Sequence, residues 1–210
     1  MLPAIALTLL SLLVLLIAEA RGMPGLRALA KTAASTGFVA VALTAGAWSS
    51  PFGRALLAAL AFSWLGDVVL LGHSDRSFRS GLVLFLLGHA GFDVAFLTRG
   101  ISPVGALAGT LAVLIPAVVV YRALSPHIRG PLRLPVQAYL VVISSMVALS
   151  VATTAVHGGA PFVLAAGLFF ASDLMVAREK FISSSLANRL LGLPLYYVAQ
   201  LLFASSPAWS

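Results

Sequence analysis

Eight apolar stretches of roughly 20 residues follow one another along this chain, separated by short polar connectors, and that succession limits what it can fold into. An α-helix needs about 20 mostly apolar residues to cross the roughly 30 Å hydrocarbon core of a bilayer. The stretches cover residues 2–19, 29–48, 54–72, 81–98, 103–122, 134–154, 160–177 and 190–206. Almost nothing is left over for a soluble domain. The reading is an all-α, polytopic membrane helix bundle of about eight transmembrane helices, with residues 1–210 forming one integral membrane domain. Composition agrees: 60% of residues are hydrophobic, 9% are charged and the mean hydropathy is +1.06, far from an ordinary soluble domain. The connectors, such as "RGMPG", "HSDRSFRS" and "SPHIRGPLRLP", are rich in Gly, Pro, Ser and Arg and mark boundaries between helices. No internal repeat or low-complexity tract stands out, and the absence of cysteine excludes disulfides, thiol catalysis and cysteine metal sites.

The net charge of +7 suggests nucleic acid until the basic residues are placed. Arg21, Arg27, Arg76, Arg79, Arg122, Arg129, Arg133, Arg178, Lys180 and Arg189 all fall in alternate connectors, whereas the opposite connectors hold only Arg54 and Arg99. By the positive-inside rule the first set is cytoplasmic and both termini are non-cytoplasmic. Binding of anionic lipid headgroups is compatible with the same pattern, and no nucleic-acid partner is expected. "LLIAEA" resembles a signal-peptidase site, but the run lacks a basic start, and cleavage after Ala20 would strand Arg21, Arg27 and Lys31 on the translocated side. The first helix is therefore expected to stay attached. An Ala-rich composition with 11 Arg to 2 Lys reads as bacterial, which places the chain in an inner (plasma) membrane.

Ionisable residues inside apolar spans are costly unless they are paired, hydrated or used, so they are the informative ones. With a rise of about 1.5 Å per residue, Lys31 lies about 3 Å inside the cytoplasmic end of its span, Asp67 about 7 Å and Asp173 about 6 Å. His89 lies about 12 Å in, and Tyr196, Tyr197 and Gln200 occupy a similar or deeper layer. Together they outline a polar cavity open to the cytoplasmic leaflet. For Asp67, a structural bridge to Lys31 and a catalytic or binding role both remain open. Asp173 has Arg178 and Lys180 as alternative partners, and Lys31 can simply snorkel to the interface. His89 and Asp93 are four apart on one helical face, a spacing that permits a hydrogen-bonded pair. Tyr196, Tyr197 and Gln200 have the spacing of polar residues that pack between helices. No metal site is expected, since His73, His127 and His157 fall in loops and no ligand set shares a face.

The order of several short motifs resembles the YhhN family: "KT" opening the second span, "SWLGD" on the third, "FRSGLVLFLLGHAGF" on the fourth, "PVQAYLVVISSM" on the sixth, "FFASDLMVAREKF" on the seventh and "LPLYYVAQLL" on the eighth. The resemblance covers about residues 29 to 204. The chain departs from the family pattern at Thr32, where Pro is usual after the Lys, and at Phe92, where Tyr is usual three after the His. That family contains the lysoplasmalogenases, multi-pass membrane hydrolases of the lysophospholipid vinyl ether bond. The resemblance implies a lysophospholipid substrate drawn from the surrounding membrane lipids. Vinyl ether hydrolysis protonates the β-carbon to an oxocarbenium ion, which water captures as a hemiacetal that collapses to aldehyde and alcohol. A carboxyl desolvated among apolar side chains favours its protonated form and suits a general acid, and a second carboxylate can stabilise the cation and orient the water. Asp67 as acid and Asp173 as the group assisting water are the expected catalytic pair. Lys31, with Arg76 or Arg178 at the cavity mouth, would hold the phosphate, and His89, Tyr196, Tyr197 and Gln200 would support the substrate site. No metal or organic cofactor is required. The alternative is a small membrane transporter or a lipid-binding protein without turnover, against which stands the lack of an inverted repeat or of matching Gly/Pro-broken helices. Oligomeric state and headgroup preference are not legible.

Overall fold

A computed structural model describes residues 1–72, 74–159 and 161–209. His73, one of the loop histidines above, and residue 160, the start of the seventh expected span, lie outside the described residues. The fold is all-helical, and among the described residues there is no strand. Among the described residues eight α-helices run in order: α1 (Leu2–Arg21), α2 (Pro24–Thr44), α3 (Pro51–Val69), α4 (Asp75–Arg99), α5 (Pro103–Leu124), α6 (Arg133–His157), α7 (Pro161–Phe181) and α8 (Leu186–Ser205). Each is long and apolar enough to cross a membrane, and the chain is a multi-pass membrane protein.

Local chemistry sets the helix starts. Ser50, Ser74, Ser102 and Ser185 precede α3, α4, α5 and α8, and each side chain accepts the backbone N–H three residues on. Pro51 and Pro103 follow two of these serines, where proline's missing N–H costs nothing. Gly22, at φ +63°, ends α1 in the left-handed region and lets the chain reverse at once into α2. Pro116 and Pro194 lie inside α5 and α8, which continue past them. His157, expected in a loop, is the last residue of α6, where its Nε2 lies 2.8 Å from the Arg99 carbonyl.

Sequential helices pair: α1 with α2, α3 with α4, α5 with α6 and α7 with α8. Helix α8 runs through the interior and touches α1, α2, α3 and α7, whereas α5 leans mainly on α6 at the periphery. Buried residues recur at helical spacing, as in the α3 series Phe52, Leu56, Ala59–Leu60, Ser63 and Asp67, so the carboxylate continues the stripe that faces the core. Glycine lets α5 and α6 approach closely, because a Cβ at Gly105 or Gly109 would meet the α6 backbone at Ala152 or Ala148. One half of the bundle is filled by aromatic rings, with Phe92 stacked on Phe203 at 4.3 Å and Phe96 edge-on to Phe162 at 5.5 Å. The other half encloses a cavity.

Candidate active site

The cavity holds about 380 Å³ and is lined by residues from all eight helices. Its lining comes from the C-terminal ends of α1, α3, α5 and α7 and the N-terminal parts of α2, α4, α6 and α8. This is the end of the bundle that carries the Arg- and Lys-rich connectors. Most of the wall is apolar, including Leu82, Val120, Leu140, Ile143 and Leu193. Lys31, Asp67, Asp173 and Tyr196, all singled out from the sequence, line it together. His89, Tyr197 and Gln200 do not; they lie buried behind the wall.

Asp67 is 2% exposed and is surrounded by donors from two other helices. Lys31 Nζ on α2 lies 3.1 Å from Oδ1. The Ser35 hydroxyl, one turn along α2, donates to Oδ2 at 2.6 Å, and the Tyr196 hydroxyl on α8 donates to the same oxygen at 2.6 Å. Two hydroxyls donating to one oxygen and an ammonium beside the other are surroundings that favour an ionised carboxylate. Tyr197 closes the group, with its hydroxyl 3.1 Å from Ser35 Oγ and 3.3 Å from the Lys31 carbonyl. Gln200 is fully buried one turn beyond Tyr196.

Asp173 has a different setting. The Tyr139 hydroxyl on α6 donates to its Oδ2 at 2.5 Å, and His89 Nε2 lies 3.5 Å from that same oxygen. Its alternative partners from the sequence do not pair with it: Lys180 pairs instead with Asp75 at 2.9 Å, and among the described residues the ion pairs of Asp173 do not include Arg178. The expected His89–Asp93 pair does not form either. His89 Nδ1 lies 2.6 Å from the Phe85 carbonyl, and Asp93 accepts from the Ser145 hydroxyl at 2.5 Å, because each side chain finds a nearer partner than the other. Phe92, buried against Phe203, has no hydroxyl; the phenol beside His89 is that of Tyr139, its ring centroid 5.2 Å away.

At the cavity mouth, Arg189 joins three helices. Its Nη1 lies 2.6 Å from Glu179 Oε1 on α7 and its Nε 3.1 Å from Glu19 Oε2 on α1. Glu179 also accepts from the Ser184 hydroxyl, the Ser185 N–H and the Asn188 amide, and so ties down the α7–α8 connector. Arg189 and Lys180 line the cavity; Arg76 and Arg178, the expected mouth residues, do not.

Comparison with known proteins gives a consistent result. Residues 26–207 match the YhhN family. Two relatives named lysoplasmalogenase TMEM86A align over 162 residues: that of Bos taurus is 32% identical and that of Homo sapiens 30%. In both cases the alignment covers 74% of this chain and 66% of the relative, so the chain spans somewhat less than two thirds of the relatives' length. No solved structure matches the chain.

Proposed function

Because the chain belongs to the YhhN family, we propose that it is a hydrolase of the lysoplasmalogenase type, cleaving the vinyl ether bond of a lysophospholipid to a fatty aldehyde and a glycerophospho-alcohol. The observation that carries this reading is the meeting of two carboxyls, Asp67 on α3 and Asp173 on α7, at one largely apolar cavity. A hydrocarbon chain fits such a wall, and a pair of carboxyls in unlike settings can divide acid and base work between them. An ammonium and two hydroxyl donors suit Asp67 to the ionised role, so we assign the pair the other way round from the sequence reading, with Asp173 as the acid and Asp67 as the group that stabilises the cation. The O–H bond of Asp173 breaks as a C–H bond forms at the β-carbon. Water adds to the oxocarbenium carbon and returns a proton to Asp173. In the hemiacetal the C–O bond to glycerol then breaks as the hydroxyl becomes the aldehyde carbonyl; the proton that this hydroxyl releases is matched by one taken up by the glycerol oxygen, so that one water is consumed and the acid is restored.

Lys31 serves Asp67 as counter-charge, and the substrate phosphate falls to Lys180 and Arg189 at the mouth. His89, Tyr197 and Gln200 support the wall from behind. The basic connectors flank the mouth, so the positive-inside rule opens the cavity to the cytoplasmic leaflet of a bacterial inner membrane, with both termini outside and the eight helices acting as one domain. The test is aldehyde release from a lysoplasmenyl-ethanolamine by detergent-purified protein, beside the saturated alkyl ether and the Asp67→Asn and Asp173→Asn variants. Aldehyde is expected from the vinyl ether alone, reduced about 100-fold or more in either variant. Well-folded protein that releases none, across headgroups and pH, would point to lipid binding or transport without turnover.

A further inference from the structure

At the cavity wall, the buried His89 and the Asp173 carboxyl face each other across 3.5 Å. His89 is 1% exposed, and its ring lies between Phe169, centroid 4.5 Å away, and Tyr139 at 5.2 Å. Its Nδ1 lies 2.6 Å from the Phe85 carbonyl. A carbonyl only accepts, so Nδ1 carries the hydrogen, and in the neutral ring Nε2 is left as a bare lone pair. Among the described residues that lone pair has no hydrogen-bond donor, and 3.5 Å from it is Asp173 Oδ2. Two acceptors would then confront each other in a low-dielectric interior, an arrangement that costs free energy unless a proton lies between them.

We propose that the resting protein holds one proton on the Asp173–His89 pair, with the Asp173 carboxyl in its acid form and directed at Nε2, and that His89 is thereby a positioning residue for the acid. The same Oδ2 accepts the Tyr139 hydroxyl at 2.5 Å. A carboxylate oxygen can only accept, whereas the hydroxyl oxygen of a carboxylic acid accepts from Tyr139 and donates to His89 at once. The result is a continuous chain, Tyr139 O–H to Asp173 O–H to His89 Nε2, in which each hydrogen bond polarises the next. The neutral arrangement also avoids placing an imidazolium and a carboxylate beside the rings of Phe169 and Tyr139 in a buried setting, where desolvating two charges is expensive. The chain's polar surroundings sharpen the contrast between the two carboxyls. Asp67 on α3 has Lys31, Ser35 and Tyr196 as donors, and Asp93, one turn along α4, has Ser145. Asp173 has one phenol and a lone pair. Its side chain is 17% exposed and lines the cavity, so the stored proton is within reach of a bound substrate. Only its use in turnover rests on the hydrolase reading.

The proton is visible without any substrate. In detergent-purified protein at neutral pH, infrared spectroscopy reads the carbonyl stretch of a protonated carboxyl. Such a band is expected in the unmodified protein, absent in Asp173→Asn and retained in Asp67→Asn. His89→Phe, which removes the acceptor, moves it to higher frequency, and His89→Gln, which restores an acceptor oxygen, brings it part of the way back. Tyr139→Phe moves the same band from the other side, and it carries the test if His89→Phe does not fold. In turnover, His89→Phe lowers kcat by about tenfold or more with little change in KM, and His89→Gln recovers part of the loss. Absence of a band assignable to Asp173, or a band that neither His89→Phe nor Tyr139→Phe moves, overturns the proposal. Vinyl ether turnover without the band removes this inference alone, and the band without turnover removes the hydrolase reading alone.

Discussion

Asp67 is a buried carboxylate whose counter-charge comes from one residue, and the consequence is asymmetric. Lys31→Met leaves the charge without compensation and should cost about 3–5 kcal/mol, whereas Lys31→Met combined with Asp67→Asn should restore much of that stability. Thermal melting of the two variants in detergent checks this; equal losses would mean that Lys31 does not serve Asp67. Tyr196→Phe and Ser35→Ala each remove one neutral donor, and about 1–2 kcal/mol is expected for either. Ser35 and Tyr139 are among the site residues that reading the sequence passed over. Ser35 had a signal, since it lies four after Lys31 on the same face of α2. Tyr139 lay inside the "PVQAYLVVISSM" motif, but nothing there marked it as a donor, because a single tyrosine in an apolar helix looks alike whether it packs or donates, and its partner is 34 residues away. The His89–Asp93 spacing misled for the complementary reason: sharing a face allows contact, but competing partners on the backbone and on α6 decide it.

At the level of helices, most of the architecture was readable because a bilayer imposes both length and polarity on each element. The ends were less so. Helix α4 begins at Asp75, well before the apolar run that starts at residue 81, since Ser74 caps a polar first turn that hydropathy does not register. Where two helices touch depends on side-chain size, and the α5–α6 contact is the clearest case. Gly109→Val would drive a side chain into the α6 backbone at Ala148 and should destabilise the protein by about 1–3 kcal/mol, while Gly167→Ala, at a position with open space around it, should have no comparable effect. Melting temperatures of the two variants decide the matter. A tolerant Gly109→Val would mean that α5 is free to move away from α6.

For the whole molecule, the orientation in the membrane is accessible to labelling because the chain has no cysteine. His127→Cys places a thiol in the α5–α6 connector and Ser49→Cys places one in the α2–α3 connector, and both positions are exposed. In intact cells a membrane-impermeant maleimide should label Ser49→Cys and spare His127→Cys until the membrane is opened. The reverse pattern would invert the bundle and open the cavity to the other leaflet. The charge distribution suggested the arrangement of connectors, but not the asymmetry between the two halves. That asymmetry depends on rings contributed by α4, α7 and α8, whose meeting no local pattern encodes.

The aromatic half has an electrical consequence. With Phe92, Phe96, Phe162 and Phe203 filling the end opposite the cavity, the bundle is an insulator there, and the membrane potential falls across the rings while Asp67 and Asp173 stay near the potential of the compartment onto which they open. Protons moved during turnover then cross almost none of the field. Turnover in proteoliposomes should be indifferent to an imposed potassium diffusion potential, and the protein should carry no current of its own.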